Sequence, residues 1–183
     1  MFGVSPIIEL IKDVMEDMNK QLSRIERSLN LLNEELIWKR LNDSTNSIGN
    51  ICLHLAGNEY QNFVSAIGNE PFIRERSREF TTDEGISKEE LTGLLRETRS
   101  KSESVLYALH NDDLSREVTI RYDLEDWKRM HRIETPVHEA SDTKVIRRLL
   151  VQVSTHYGYH VGQIVLLTKI LTLTNEHITG QYH

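Results

Sequence analysis

The sequence predicts an all-α protein: a four-helix bundle with a long irregular crossover between its third and fourth helices. Three observations carry that expectation. Four segments repeat apolar residues at steps of three and four, the period of a helix that buries one face. Glycine and proline are sparse, nine and three in 183 residues, so few positions interrupt a helix. Strand-like alternation is confined to Val118, Ile120 and Tyr122. The length suits one domain over residues 1–183 with a sizeable core.

The first helix opens at Pro6, with Ser5 as its candidate cap, and Ile8, Ile11, Val14, Met15, Met18, Leu22, Ile25, Leu29 and Leu32 mark its apolar side. Asn33-Glu34-Glu35 ends it, and Leu36 to Lys39 forms a short turn. The polar run Asn42–Asn46 is a loop, and Asn46 or Ser47 caps a second helix that carries Ile48, Ile51, Cys52, Leu55, Phe63, Ala66 and Ile67 and stops near Gly68-Asn69. A linker containing Pro71 and Gly85 follows. Ser87-Lys88-Glu89-Glu90 is a capping box that opens the third helix, with Leu91, Leu94, Leu95, Thr98, Val105 and Leu109 on its buried side. Residues 111–143 show no sustained helical period beyond the short strand, and Trp127 is placed to anchor them. Asp142 or Thr143 then caps a fourth helix that runs to about Thr174. The first connection is short enough to make the first two helices antiparallel, while the longer ones leave the topology open.

Composition excludes several function classes. With 28 acidic against 22 basic residues the net charge is −6, and no basic cluster interleaves with aromatics, so nucleic-acid binding is not expected. Cys52 is the only cysteine, which excludes an intramolecular disulfide and a thiolate metal cluster. Neither a signal peptide nor a membrane-length apolar run is evident, so the expected location is cytoplasmic. The first and fourth helices carry apolar residues beyond one stripe: Ile7, Leu10 and Leu31, and Leu150, Val161, Val165 and Ile170. That surplus predicts a homodimer.

The chemistry points to the run Thr155-His156-Tyr157-Gly158-Tyr159-His160-Val161-Gly162-Gln163-Ile164. Histidines at i and i+4 lie about 40° apart around a helix and about 6 Å along it, so their rings can converge on one metal ion. Leu149, Val153, His156, His160, Ile164, Leu167 and Leu171 form one stripe, which turns the pair toward the interior. The other reading is a polar core network in which each ring bonds a neighbouring helix. A third ligand decides between them.

His54 flanks the apolar side of the second helix beside Ile51, with Asn58 and Gln61 continuing a polar edge. From there it can complete a three-histidine site that leaves a metal position open. His110, His131, His138, His177 and His183 read as ordinary solvated side chains. Of these, His131 and His138 lie in the segment that could fold back as a fourth ligand.

Asn46-Ser47-Ile48-Gly49-Asn50-Ile51-Cys52-Leu53-His54-Leu55, about a hundred residues ahead of His156-x-x-x-His160-x-Gly162-Gln163-Ile164, resembles the DinB/YfiT-like family of metal-dependent hydrolases. The resemblance covers nearly the whole chain. It implies a four-helix bundle of up-down-down-up topology, with His54, His156 and His160 holding zinc or nickel. It implies no nucleic-acid binding. Relatives of this kind include transferases of a low-molecular-weight thiol such as bacillithiol and proteins resembling maleylpyruvate isomerases, and no matching residue fixes a general base.

Two enzymatic readings follow, hydrolysis by an activated water and transfer of an activated small thiol. Gln163, Tyr157, Asn58, Glu59 and Gln61 are the candidates for proton transfer or orientation. Gln163 lies one turn beyond His160 and faces the same cavity or bonds a neighbouring helix. Glu59 either accepts a ligand's free N–H or is an ordinary exposed or interface glutamate. The non-catalytic alternative is a metal-stabilised stress-response or binding protein, which would close the site with a fourth protein ligand.

Overall fold

Helix α1 spans Pro6–Asn30, and its buried residues Ile11, Met15, Met18, Leu22, Ile25, Leu29 and, just beyond it, Leu32 alternate steps of four and three. That seam lets a long helix lie along a neighbour with knobs in holes, and α1 does so along α7, Ile146–Thr172. The computed structural model describes residues 6–134 and 138–180, and the chain is mostly helical with one small two-stranded sheet. The expected cap Ser5 lies outside the described residues.

The short helix α2 (Glu34–Trp38) is capped by Asn33, whose side chain accepts from Leu36 N. Helix α3 (Ile48–Glu59) opens on a reciprocal capping box between Ser47 and Asn50, an N-cap arrangement of the kind that stabilises a helix by about 1 kcal/mol. The helix continues without a break as a π-helical segment, Tyr60–Ile67. Helix α4 (Arg76–Thr81) occupies the stretch expected to be a plain linker. The Ser87/Glu90 capping box opens α5 (Lys88–Tyr107) where the sequence placed it. Helix α5 packs on α3, on the π-helical segment and on α1, and α3 also packs on α7. One apolar core joins these helices.

The crossover is far more ordered than its sequence predicts. It contains a 3-10 turn (Asn111–Ser115), strand β1 (Glu117–Arg121), helix α6 (Leu124–His131) and strand β2 (Ser141–Val145). In β1, Val118 and Ile120 point inward and their neighbours outward, as the alternation requires. Strand β2 pairs antiparallel with it, Val118 opposite Lys144 and Ile120 opposite Asp142. Asp142 and Thr143 are therefore strand residues, and α7 begins at Ile146 without a side-chain cap. Asp123 caps α6 by accepting from Glu125 N and Asp126 N, and Trp127, expected to anchor the segment against the bundle, packs its ring on Tyr122 within the crossover itself.

The apolar surplus of α1 and α7 divides. Ile7, Leu150 and Val161 are buried in this chain's own core, Leu31 and Val165 are half-buried, and Leu10 and Ile170 remain exposed. Among the described residues, no helix is long and apolar enough to cross a membrane.

Candidate metal centre

Helix α7 carries His156 and His160 one turn apart, with ring centroids separated by 4.5 Å. Its buried stripe runs through Ile146, Leu149, Leu150, Val153, Tyr157, Val161, Ile164 and Thr168. Both histidines therefore lie on the margin of the stripe and are half-buried, a correction of about one residue's rotation to the face the sequence predicts. His54 shows the opposite departure: expected on a flank, it is 4% exposed. Its ring lies 4.9 Å from each of the other two, and one nitrogen from each ring falls within 4.8 Å of the others. Three histidines from α3 and α7 are thus close enough to bind one metal ion. Among the described residues no fourth histidine, cysteine, aspartate or glutamate joins them.

The nitrogens are oriented by groups behind them. Glu79 Oε2 lies 2.9 Å from His54 Nδ1 and can only accept. Arg74 Nη2 also comes within 3.1 Å of Nδ1 but donates over a shorter 2.8 Å to Glu79 Oε2, so the arrangement favours a proton on Nδ1 and a lone pair on Nε2. Gln163 does the same for His160: its Oε1 lies 2.7 Å from Nδ1, while its Nε2 donates to Tyr159 Oη at 3.1 Å. With Gln163 Oε1 accepting from the Nδ1–H, His160 Nε2 is left free. His54 Nε2 and His156 Nε2 face each other at 3.0 Å, and His156 Nδ1 is buried without a hydrogen-bond partner. Two lone pairs at that distance repel unless a cation or a proton lies between them. The donor set fits a divalent ion that favours imidazole nitrogen.

Electrostatics keep the rings neutral, the form that ligates metal. Burial is the main reason the His54, His156 and His160 pKa values are all lowered, His156 to about 3. The charge of Arg74 adds to this at His54 and His156, and that of Arg76 acts on all three. Glu79 is ionised: burial raises its pKa, but hydrogen bonds from Arg74 and His54 outweigh this and lower it.

Glu79 is held from three sides. Arg74 grips it with two parallel bonds, Nε to Oε1 at 2.6 Å and Nη2 to Oε2 at 2.8 Å. Arg74 Nη1 donates to Gln61 Oε1 at 2.6 Å, and Gln61 Nε2 donates to the Arg121 carbonyl of β1. Asn50, whose backbone belongs to the α3 cap, donates to the carbonyls of Glu79 and Thr82 and so fixes the end of α4. Gly57 completes the arrangement, because a Cβ there would strike Glu79 Oε1. A cavity of 360 Å³ backs this ion pair, lined in part by Leu53, Gly57, Ile73, Arg74 and Glu79 and by none of the three histidines.

The chain matches, over residues 7–179, a family described as a protein of unknown function, DUF1572. It belongs to that family. No curated protein matches the chain.

The remaining candidate residues of this DUF1572 chain divide sharply. Gln163 is at the centre, bonded to His160. Tyr157 is not: it is 1% exposed in the core, with Arg99 4.9 Å above its ring. Glu59 is not a histidine acceptor but an interface glutamate, buried between α3 and α5. Its carboxylate takes both Arg99 Nε at 2.8 Å and Arg99 Nη2 at 3.0 Å in a buried ion pair. Asn58 lies one turn beyond His54 and is half-buried, and its carbonyl accepts from Asn62 Nδ2 at 2.8 Å. His131 stacks on Trp127 with centroids 4.1 Å apart, and His110, His138 and His177 are exposed. His183 lies outside the described residues. Sequence reasoning missed Glu79 and Arg74, which read as charges in a linker. The one signal was a turn of Arg76-Ser77-Arg78-Glu79-Phe80, whose single large apolar residue marks an inward face.

Proposed function

We propose that this chain is a DinB-like metal-dependent enzyme, with its four long helices arranged as an up-down-down-up bundle and His54, His156 and His160 holding zinc or nickel. The observation that carries this reading is the pairing of His54 Nδ1 with the buried Glu79 carboxylate at 2.9 Å. A carboxylate behind a histidine fixes its tautomer and raises its basicity as a ligand. The 3.0 Å between His54 Nε2 and His156 Nε2 suits either a shared ion or a single N–H···N hydrogen bond, so it is the carboxylate behind His54 that favours the metal reading.

When bound, a divalent ion with an open coordination position lowers the pKa of a water or thiol ligand toward neutrality. The residues prepare for that. Glu79 and Gln163 orient two of the rings, and Arg74 neutralises Glu79 so that a buried carboxylate persists beside the site. Burial and nearby arginines keep protons off the ring nitrogens. Two activities fit, hydrolysis of a small molecule and transfer of a low-molecular-weight thiol, bacillithiol-like, to an electrophile. A homodimer is the proposed assembly, resting on the exposed Leu10 and Ile170. The non-catalytic alternative, a metal-stabilised binding or stress-response protein, needs a closed site, and no fourth ligand joins the three among the described residues.

The test is metal analysis of protein purified without a histidine tag, followed by assays of ester hydrolysis and of thiol consumption with an electrophile. One zinc or nickel per chain and metal-dependent turnover in either assay are expected. Absence of metal, with no uptake on adding zinc or nickel, would overturn the reading.

A further inference from the structure

Arg76 is the one arginine of α4 with no ion pair or hydrogen bond among the described residues. Arg74, just before it, is bound to Glu79 and Gln61, and Arg78 pairs with Glu75 at 3.1 Å. Arg76 instead lays its guanidinium 5.6 Å above the ring of Phe80, one turn along the same helix. Phe80 in turn lies 5.0 Å from the His54 ring, so the cation stands one aromatic ring away from the histidines. It is half-buried.

A guanidinium offers five N–H donors, and placing it half out of water without acceptors is unfavourable unless something else compensates. A cation–π contact satisfies the face of the group but none of its donors. The nearby carboxylates are engaged elsewhere. Glu79 is held by Arg74 and His54, and Asp126 accepts from the Ser77 hydroxyl. Burial, foremost, and the charge of Arg74 lower the pKa of Arg76, and the charges of Glu79 and Asp126 only partly offset this. The group remains a cation, close enough for its charge to act on all three histidines.

We infer that Arg76 anchors a terminal oxyanion, a carboxylate or phosphate, of the small molecule that reacts at the three-histidine centre. The inference rests on the metal-enzyme reading for what happens at the centre, but the anion site itself needs only this chain's residues. A planar fork recognises a carboxylate or phosphate through two parallel bonds, which fixes the direction of the bound molecule as well as its charge. Phe80 holds the fork in place. In a chain of net charge −6, a half-buried cation without an ion pair also selects against neutral molecules and draws anions to one point.

The experiment is calorimetric titration of the full chain with succinate, inorganic phosphate and the neutral analogue succinamide. Each titration is made on chelator-treated and on zinc-loaded protein, with Arg76→Met, Arg76→Gln, Arg76→Lys and the exposed control Arg78→Met. Wild type and Arg78→Met should bind one of the two anions in both metal states and ignore succinamide, and the preferred anion identifies the oxyanion. Arg76→Met and Arg76→Gln should weaken that binding at least tenfold, and Arg76→Lys should fall between. Circular dichroism confirms the fold of each variant. The inference is overturned if neither anion binds, if the neutral variants bind as wild type does, or if binding appears only with zinc and is indifferent to Arg76. Failure of the metal reading looks different: no zinc uptake in the same titrations, with Arg76-dependent anion binding intact.

Discussion

Gly57 and Glu79 stand so close, one on α3 and one on α4, that no side chain larger than hydrogen fits at Gly57 without moving the carboxylate. Gly57→Ala should therefore separate metal affinity from helix stability. Alanine favours a helix interior by about 1 kcal/mol over glycine, so the helix itself is not weakened. The displaced Glu79 no longer orients His54, and losses of this kind reduce metal affinity by about 10- to 100-fold. Zinc competition against a chromogenic chelator, with a parallel melt, reads both effects. Unchanged affinity would show that Glu79 does not set the ligand.

The same reasoning fixes what His160→Ala does. His160 is half-buried and contributes little to the apolar stripe of α7. Chelator-treated wild type and variant should melt within a few degrees of each other. Added zinc or nickel should raise the wild-type melting temperature, by the equivalent of about 4 kcal/mol at a thousandfold excess over the dissociation constant, and should leave the variant unmoved. A variant that is unfolded even with chelator present in both samples would mark the histidine as part of the scaffold.

The Glu59–Arg99 pair belongs to stability alone. Glu59→Gln leaves a buried guanidinium without its countercharge, a change that costs about 3–5 kcal/mol in comparable pairs. Replacing both, Glu59→Met with Arg99→Met, should recover most of that loss, since well-packed apolar residues often match a buried ion pair. Urea denaturation reads the stability, and metal affinity should be the same in all folded variants. A double variant no more stable than Glu59→Gln would show that Tyr157, under Arg99, depends on the charge.

Acid should weaken the chelator-treated protein in a defined window. The three histidines have folded-state pKa values below their ordinary 6.5, His156 at about 3. Below pH 6.5 the unfolded chain binds protons that the folded chain refuses, so stability falls as pH drops from about 6.5 and continues to fall toward the folded values. Glu79, whose pKa is lowered, adds a further loss on acidification below its ordinary 4.5. Urea melts at pH 7.5, 6.5, 5.5 and 4.5 should show a steady decline that is shallower in His156→Gln. Equal slopes would mean that His156 is not held neutral.

Much of this was legible because helices announce themselves locally. The Ser87/Glu90 and Ser47 caps and the apolar steps of α1, α3 and α5 are contained within a few residues of each other, and i, i+4 spacing is enough to pair His156 with His160. What failed to show depends on partners distant in sequence. Strand β2 has no alternation of its own, since Ser141-Asp142-Thr143-Lys144-Val145 is half-buried or exposed throughout and is a strand only because β1 pairs with it. The α7 stripe was misjudged because Tyr157 and Thr168, which read as polar, are buried while the histidines flank them. Glu79 could not be assigned from sequence because its importance comes from lying opposite Gly57.

The π-helical turns after α3 make the site depend on a length as well as on residue identities. Between Tyr60 and Ile67 each turn holds more residues than an α-helix does, as the bond from Gly68 N to Phe63 O at 3.0 Å records. Four residues in a row, Gln61, Asn62, Phe63 and Val64, are buried there. Deleting a single residue from this stretch would let it relax into an unbroken α-helix, a locally favourable outcome. It would also shift the later residues along and around the axis relative to His54, so that Phe63, Val64 and Ile67 no longer meet α5 where they do now. A one-residue shortening here should therefore be more damaging than most substitutions at the same positions.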